Sequence, residues 1–146
     1  MKKLLLALAV VLGMVATANA GGNYSRDISI LPEAAKTTIA NNFKAKISLI
    51  KTDKTLGSIT EYKVILNNGS EISFDKHGNW EEIEVPAGNS VPSGFILKGI
   101  SDYVRKNHSD QKIVGIDKER SGFEVQLSNG IDIKFDKEGK FIRYDN

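Results

Sequence analysis

Two histidines and two aspartate loops are the first places to look for chemistry in this chain. His77 and His108 are the only histidines. Neither sits in a His-x-x-x-His or Cys/His arrangement of the kind that ligates zinc, and both read as exposed loop histidines. The loops Asp75-Lys76-His77-Gly78 and Asp136-Lys137-Glu138-Gly139 raise the question of calcium, which takes about six to eight oxygen ligands. Each loop follows its Asp with Lys and brings only one carboxylate or amide within reach. Asp at the start and Gly at the end are what a type I turn prefers. Serines are scattered with no Gly-x-Ser-x-Gly elbow, and no glycine-rich phosphate loop follows a strand. Glu81, Glu82 and Glu84 read as the solvated side of an edge strand, not as two carboxylates facing each other across a glycosidase cleft. No catalytic group, metal ligand set or cofactor motif emerges, so the expectation is a non-enzyme, and binding is the class that remains.

The loops belong to a larger pattern. Tyr62 to Trp80 returns as Phe123 to Phe141, a shift of 61 (123−62), with nine of 19 aligned positions identical where chance gives roughly one. The identities are Val64/Val125, Leu66/Leu127, Asn68/Asn129, Gly69/Gly130, Ile72/Ile133, Phe74/Phe135, Asp75/Asp136, Lys76/Lys137 and Gly78/Gly139. Ahead of this stretch Leu31-Pro32 and Val91-Pro92 open the two repeats at a shift of 60, which implies one inserted or deleted residue in a loop. Pro suits the first turn of a helix. Ala35, Ile39, Ala40 and Phe43 then fall at helical spacing, as do Ile96, Ile100, Tyr103 and Val104. Gly99 inside the second helix costs about 1 kcal/mol relative to Ala, and close approach of the helix to a neighbour is its expected reason.

Each helix is followed by four strand-like segments: 47–51, 59–66, 70–75 and 79–85, then 112–118, 122–127, 131–136 and 140–144. In the first long hairpin a three-residue loop, Asn67-Asn68-Gly69, pairs Val64 with Ile72 and Tyr62 with Phe74, whereas a two-residue loop would mix apolar and polar partners. The second repeat agrees, with Val125 opposite Ile133 and Phe123 opposite Phe135. Lys63, Glu71, Ser73, Glu124, Gln126, Asp132 and Lys134 then face away from the core toward water, with Ile65 the exception. The last strand of each repeat resists a clean assignment. A three-residue loop after Asp75 or Asp136 sends Trp80 and Phe141 to the core side and Ile83, Val85, Ile142 and Tyr144 outward, while a four-residue loop does the reverse. Trp80, Ile83, Phe141, Ile142 and Tyr144 are thus the candidate partner-binding residues, as aromatic anchors on a rigid sheet, with closure of the seam between the repeats as the alternative role.

The segment 1–20 has the form of an export signal: Lys2 and Lys3, an apolar run from Leu4 to Val15, and Ala18-Asn19-Ala20 before Gly21. The run is short of the roughly 20 residues that span a bilayer, so no membrane span is expected after cleavage. Processing leaves 126 residues (146−20) and 18 basic residues (20−2) against 18 acidic ones, a formal charge of zero. With bases dispersed among acids, nucleic acid is not an expected partner. Cysteine is absent, so there is no disulfide framework and no lipid-anchored cysteine, and the expected location is the periplasm or the secreted fraction. The domains predicted are a signal (1–20), a flexible leader (21–30), repeat 1 (31–86) and repeat 2 (87–146).

A Pro-initiated helix followed by Tyr/Phe-x-Val-x-Leu-x-Asn-Gly-x-x-Ile-x-Phe-Asp-Lys-x-Gly, once per repeat and behind a signal peptide, resembles the PepSY-like family of β-lactamase-inhibitor-like proteins common in the envelope of Bacteroidota. The resemblance implies an α+β fold: a tandem repeat of helix plus four-stranded antiparallel units, with two helices on one face of a sheet of up to eight strands. Related PepSY modules inhibit or chaperone peptidases. The chain departs from the inhibitor in lacking cysteines and in the polar character of its open sheet face. The functional expectation is a non-enzymatic module that presents its open sheet face to another envelope or secreted protein, such as a hydrolase it restrains, without a cofactor. The alternative is a small-molecule or peptide sensor with a pocket between helices and sheet. Edge strands leave dimerisation open.

Overall fold

The computed structural model describes residues 23–145; the predicted signal and its cleavage site lie outside the described residues. The strands are β1 (Asn23–Ser25), β2 (Ile47–Thr55), β3 (Ser58–Leu66), β4 (Glu71–Asp75), β5 (Trp80–Glu84), β6 (Ile113–Glu119), β7 (Gly122–Leu127), β8 (Asp132–Asp136) and β9 (Phe141–Tyr144). The helices are α1 (Glu33–Asn42) and α2 (Lys98–Asn107). The strands form one antiparallel sheet in chain order, and the chain divides into two compact units within β5, between Glu81 and Glu82.

In the first unit the core is Leu31, Ala35, Ile39, Ile50, Val64, Leu66, Ile72 and Phe74, all buried. Pro32 opens α1 as expected, its carbonyl accepting from the N–H groups of Ala35 (3.0 Å) and Lys36 (3.2 Å). Val64 lies opposite Ile72 and Tyr62 opposite Phe74, the register given by a three-residue loop. Gly69 closes that loop at φ 93°, a left-handed conformation that costs glycine little. In the second unit Val125 opposes Ile133 and Phe123 opposes Phe135, with Gly130 at φ 89°.

Three expectations need correction. The predicted leader, as far as it is described, is ordered into the sheet: Asn23, Tyr24 and Ser25 pair with Thr52, Lys51 and Ile50, and Thr52 Oγ1 donates to the Asn23 carbonyl at 3.2 Å. Among the described residues the sheet therefore has nine strands, not eight. A three-residue strand with mixed polarity carries no periodic signal.

Pro92 does not begin the second helix. It leads into a single 3-10 turn, Ser93–Phe95, after which Ile96 is extended and α2 starts at Lys98, with Leu97 at the N-cap position. Ser93 and Gly94 are weak helix formers immediately after the proline. The counterpart of Pro32 is thus Leu97.

The predicted shift of 60 at the start of the repeats is wrong for the same reason. The 3-10 turns are 65 apart (93−28) and so are the helices (98−33), β2 and β6 start 66 apart (113−47), and the next hairpin returns to 61 (127−66). The length difference lies in the β2–β3 hairpin, whose strands have nine residues each against seven and six in β6 and β7.

The turn glycines after Asp75 and Asp136 meet the first turn of the helix in their own unit. A Cβ on Gly78 would stand 2.9 Å from Pro32 Cβ. One on Gly99, in α2, would stand 2.7 Å from the Gly139 carbonyl oxygen. Gly99 is therefore a spacer that lets α2 approach the β8–β9 turn. Gly99→Ala is expected to lower stability by about 1–3 kcal/mol through overpacking, despite a gain in helix propensity of about 1 kcal/mol. Urea denaturation checks this; an unchanged or raised midpoint would show that the turn gives way.

Candidate functional site

The second unit gathers most of the exposed aromatic surface. The β8–β9 loop has three residues: Asp136 N–H donates to the Lys140 carbonyl (2.8 Å), and the Asp136 carboxylate accepts from the N–H groups of Glu138 and Lys140 at 2.9 Å. Asp75 does the same for His77 and Asn79 at 2.9 Å. These carboxylates are engaged in stabilising their own turns, as the turn reading of the sequence has it.

Phe141 accordingly lies opposite Phe135. Strict alternation would then turn Tyr144 to the other face, as the sequence reading expected for this loop length. A register shift intervenes, so that Arg143 opposes Lys134 and Tyr144 opposes Ile133. Phe141 and Tyr144 therefore share the core side, where Tyr103 of α2 stacks on Phe141 (ring centroids 4.7 Å apart, 8° between planes) and meets Phe135 edge-on at 5.6 Å. The Tyr103 and Tyr144 hydroxyls are 3.0 Å apart, and His108 Nε2 is 3.0 Å from the Tyr144 hydroxyl. Burial and the bond to Tyr144 push the Tyr103 hydroxyl up to about 12.

The five predicted partner-binding residues separate. Phe141, Ile142 and Tyr144 are 39%, 43% and 41% exposed. Trp80 is half-buried. Ile83, opposite Ile116, is fully buried and is unavailable to a partner, a correction that follows from its place in the core of the second unit. Tyr103 and His108 join the surface without having been predicted as site residues. Tyr103 carried only a helix-core signal, and His108, expected as an exposed loop residue, is half-buried at the C-cap of α2.

The opposite face is not the wet surface expected. Glu82, Asp117, Glu124, Lys134 and Arg143 oppose one another in turn across β5 to β9, making one cross-strand row of three acids followed by two bases. Glu124, in its middle, is 1% exposed, and in the first unit Ser73 is 4% exposed. Lys134 Nζ is 2.8 Å from Glu119 Oε1 and 3.9 Å from Glu124 Oε1. Burial is the main force raising the Glu124 carboxyl, to about 8, with the Asp145 carboxyl beside it adding to the rise and Lys134 opposing it. Glu124 and Asp145 can hydrogen-bond only if one of them keeps its proton.

An acid with a pKa near 8 when folded and 4.5 in its ordinary state binds its proton more tightly in the native protein. Its stabilising effect is full below about pH 4.5 and is lost as the pH rises through 8. Stability is therefore expected to fall between pH 5 and 8, and Glu124→Gln should flatten this slope. Denaturation midpoints at several pH values check it; parallel slopes in the two proteins would rule out Glu124 as the source.

The chain matches the family described as "putative beta-lactamase-inhibitor-like, PepSY-like" over residues 60–143. Among curated proteins none matches it significantly. Solved structures do. A putative periplasmic protein of unknown function from Bacteroides vulgatus is 38% identical, with a TM-score of 0.79 over 86% of this chain and 100% of that one. A putative calcium-regulated periplasmic protein from Bacteroides thetaiotaomicron is 35% identical, with a TM-score of 0.75 over 82% and 94% of the two chains. A second putative periplasmic protein from Bacteroides vulgatus is 32% identical, with a TM-score of 0.75 over 88% and 99%. No catalytic family is among these, and no helix among the described residues is long and apolar enough to cross a membrane. With the sheet, its hairpin registers and these likenesses in agreement, the chain is a member of the PepSY-like, β-lactamase-inhibitor-like family.

Proposed function

We propose that the protein is a non-enzymatic binding module of the periplasm or secreted fraction, which holds an extended segment of another envelope or secreted protein along β9. One observation carries the reading: all four residues of this terminal strand are exposed, three of them large and apolar or aromatic. No strand neighbours the outer edge of β9 among the described residues. An exposed edge is a template for an added strand, with main-chain bonds giving affinity and side-chain pockets giving specificity. The stack of Tyr103 on Phe141 and the hydrogen bonds of Tyr144 hold two rings in place before any partner arrives, which lowers the ordering cost of binding. The surface differs from the one expected from sequence: it is the β9 edge with the rings on the core side, not the open sheet face. The family's likeness to an enzyme inhibitor makes a hydrolase the first partner to test.

The groove beside Val91, Ile96, Val104, His108 and Ile113 supports the sensor as a second reading. It differs from the first in requiring a small ligand that raises the melting temperature.

Immobilised protein exposed to native envelope extract, with retained proteins identified by mass spectrometry at low and high salt, tests the first reading. One protein is expected to be enriched and to persist at high salt, and its capture should fall at least about tenfold with Tyr144→Ala, the loss typical of an anchor residue. Ile142→Lys, a change at an exposed bulge, should have the same effect with the fold intact. Empty capture, or undiminished capture by folded Ile142→Lys, would overturn the β9 surface.

A further inference from the structure

The groove beside α2 has a lining of two chemistries. Its apolar part is Val91, Ile96, Val104 and Ile113, of which Val91 and Val104 are buried. The Val91 N–H donates to the Ile113 carbonyl at 2.8 Å, which ties the segment before the 3-10 turn to the start of β6. The polar part includes Arg105, His108 and Lys112, with Ser90, Ser93 and Ser109. No Asp or Glu is among the described residues that line the groove. An apolar pocket with a few convergent polar groups is the make-up of a small-ligand site, and the sign of those groups says which ligand.

The cations are available. Lys112 Nζ donates to the Gly88 carbonyl at 2.8 Å and has no carboxylate partner among the described residues, so its other two donors remain. Arg105 pairs with Asp102, which Lys98 also holds, and its side chain is 72% exposed. Exposed pairs of this kind are weak, so the guanidinium exchanges to a ligand at little cost. The first unit supplies the comparison. At the shift of 65 that relates the helices, Arg105 corresponds to Ala40 (105−65) and His108 to Phe43 (108−65), with Phe43 and His108 each at a helix C-cap. Bases in a last helical turn offset its dipole, yet α1 has none there. The fold alone therefore asks for neither base.

We infer that this groove takes a carboxylate on a short aliphatic body, the carboxylate held by Arg105 and Lys112, which rests on the reading of the groove as a ligand site. One guanidinium fork beside one ammonium matches a single carboxylate, and the apolar lining matches a hydrocarbon chain. The groove has a volume of 290 Å³, room for about ten non-hydrogen atoms at about 30 Å³ each, the share of one water in the liquid. A free aliphatic acid and the C-terminal residue of a peptide both present this chemistry.

Thermal melts and calorimetric titrations at neutral pH and constant ionic strength test this, with each probe raised to about 10 mM to reach millimolar dissociation constants. The probes are hexanoate for the free acid, N-acetyl-leucine for the peptide end, the neutral amides of both, and acetate and inorganic phosphate for charge alone. One of the two acids is expected to bind one per chain and to raise the melting temperature by several degrees. Stronger binding of hexanoate assigns the site to free acids, and stronger binding of N-acetyl-leucine to chain ends; both support it. The amides, acetate and phosphate should bind at least about tenfold more weakly, as should the acid to folded Arg105→Gln or Lys112→Gln, each change removing a charged hydrogen bond or the apolar contact. Amides that bind as tightly as the acids would overturn the carboxylate and leave the sensor reading standing. No response to either acid or amide would overturn both, and full affinity in folded Arg105→Gln and Lys112→Gln would remove the carboxylate from this groove.

Discussion

The parity of the hairpins is the constraint on which everything else in this structure rests. A three-residue loop closed by a left-handed glycine sets Val64 against Ile72 and Val125 against Ile133. Because side chains alternate with period two, a slip of one residue would carry the whole apolar set to the other face. With this register fixed, Phe74 and Phe135 enter the cores of their units, and the helix of each unit meets the next turn at a glycine. The glycines at 78 and 139 act twice, turning the chain and admitting the helix.

This part of the fold could be read from sequence because it is written twice. Two copies with different surface residues leave only the register as the common factor, and each hairpin tests the other. What could not be read was what occurs once or what breaks the period. β1 is three residues long and is held by pairing with β2, a tertiary cause with no local trace. Val91-Pro92 looked like the start of a helix because Leu31-Pro32 is one, yet proline also begins a 3-10 turn, and the helix waits for Lys98. The register shift in β9 is a single irregularity between Arg143 and Phe141, and it decides the side on which Tyr144 falls.

The candidate sites were legible in proportion to how local they are. Phe141, Ile142 and Tyr144 were found because apolar residues in a short terminal strand stand out. Tyr103 was read as core because helical spacing cannot distinguish a ring that fills the core from one that supports a surface. Glu124 was misread as solvated for a deeper reason. Alternation gives the face of a residue but not its cover, and its cover comes from elsewhere: Lys134 on the following strand, Glu119 on the preceding strand, and Asp145 beside the end of β9. Only the cross-strand row brings these groups together.

The aromatic surface and the charged row are the two sides of the same strands. Phe135 and Phe141 point one way, and Lys134 and Arg143 the other, so the irregularity that gives Tyr144 to the ring cluster also sets Arg143 at the end of the row. Without it, alternation would bring Tyr144 among the charges and Arg143 among the rings. An arginine facing Ile133 would bury charge without a matched partner. One extra residue in a four-residue strand thus sorts two chemistries onto two faces, and this places the exposed rings and the buried carboxylate back to back within a single unit.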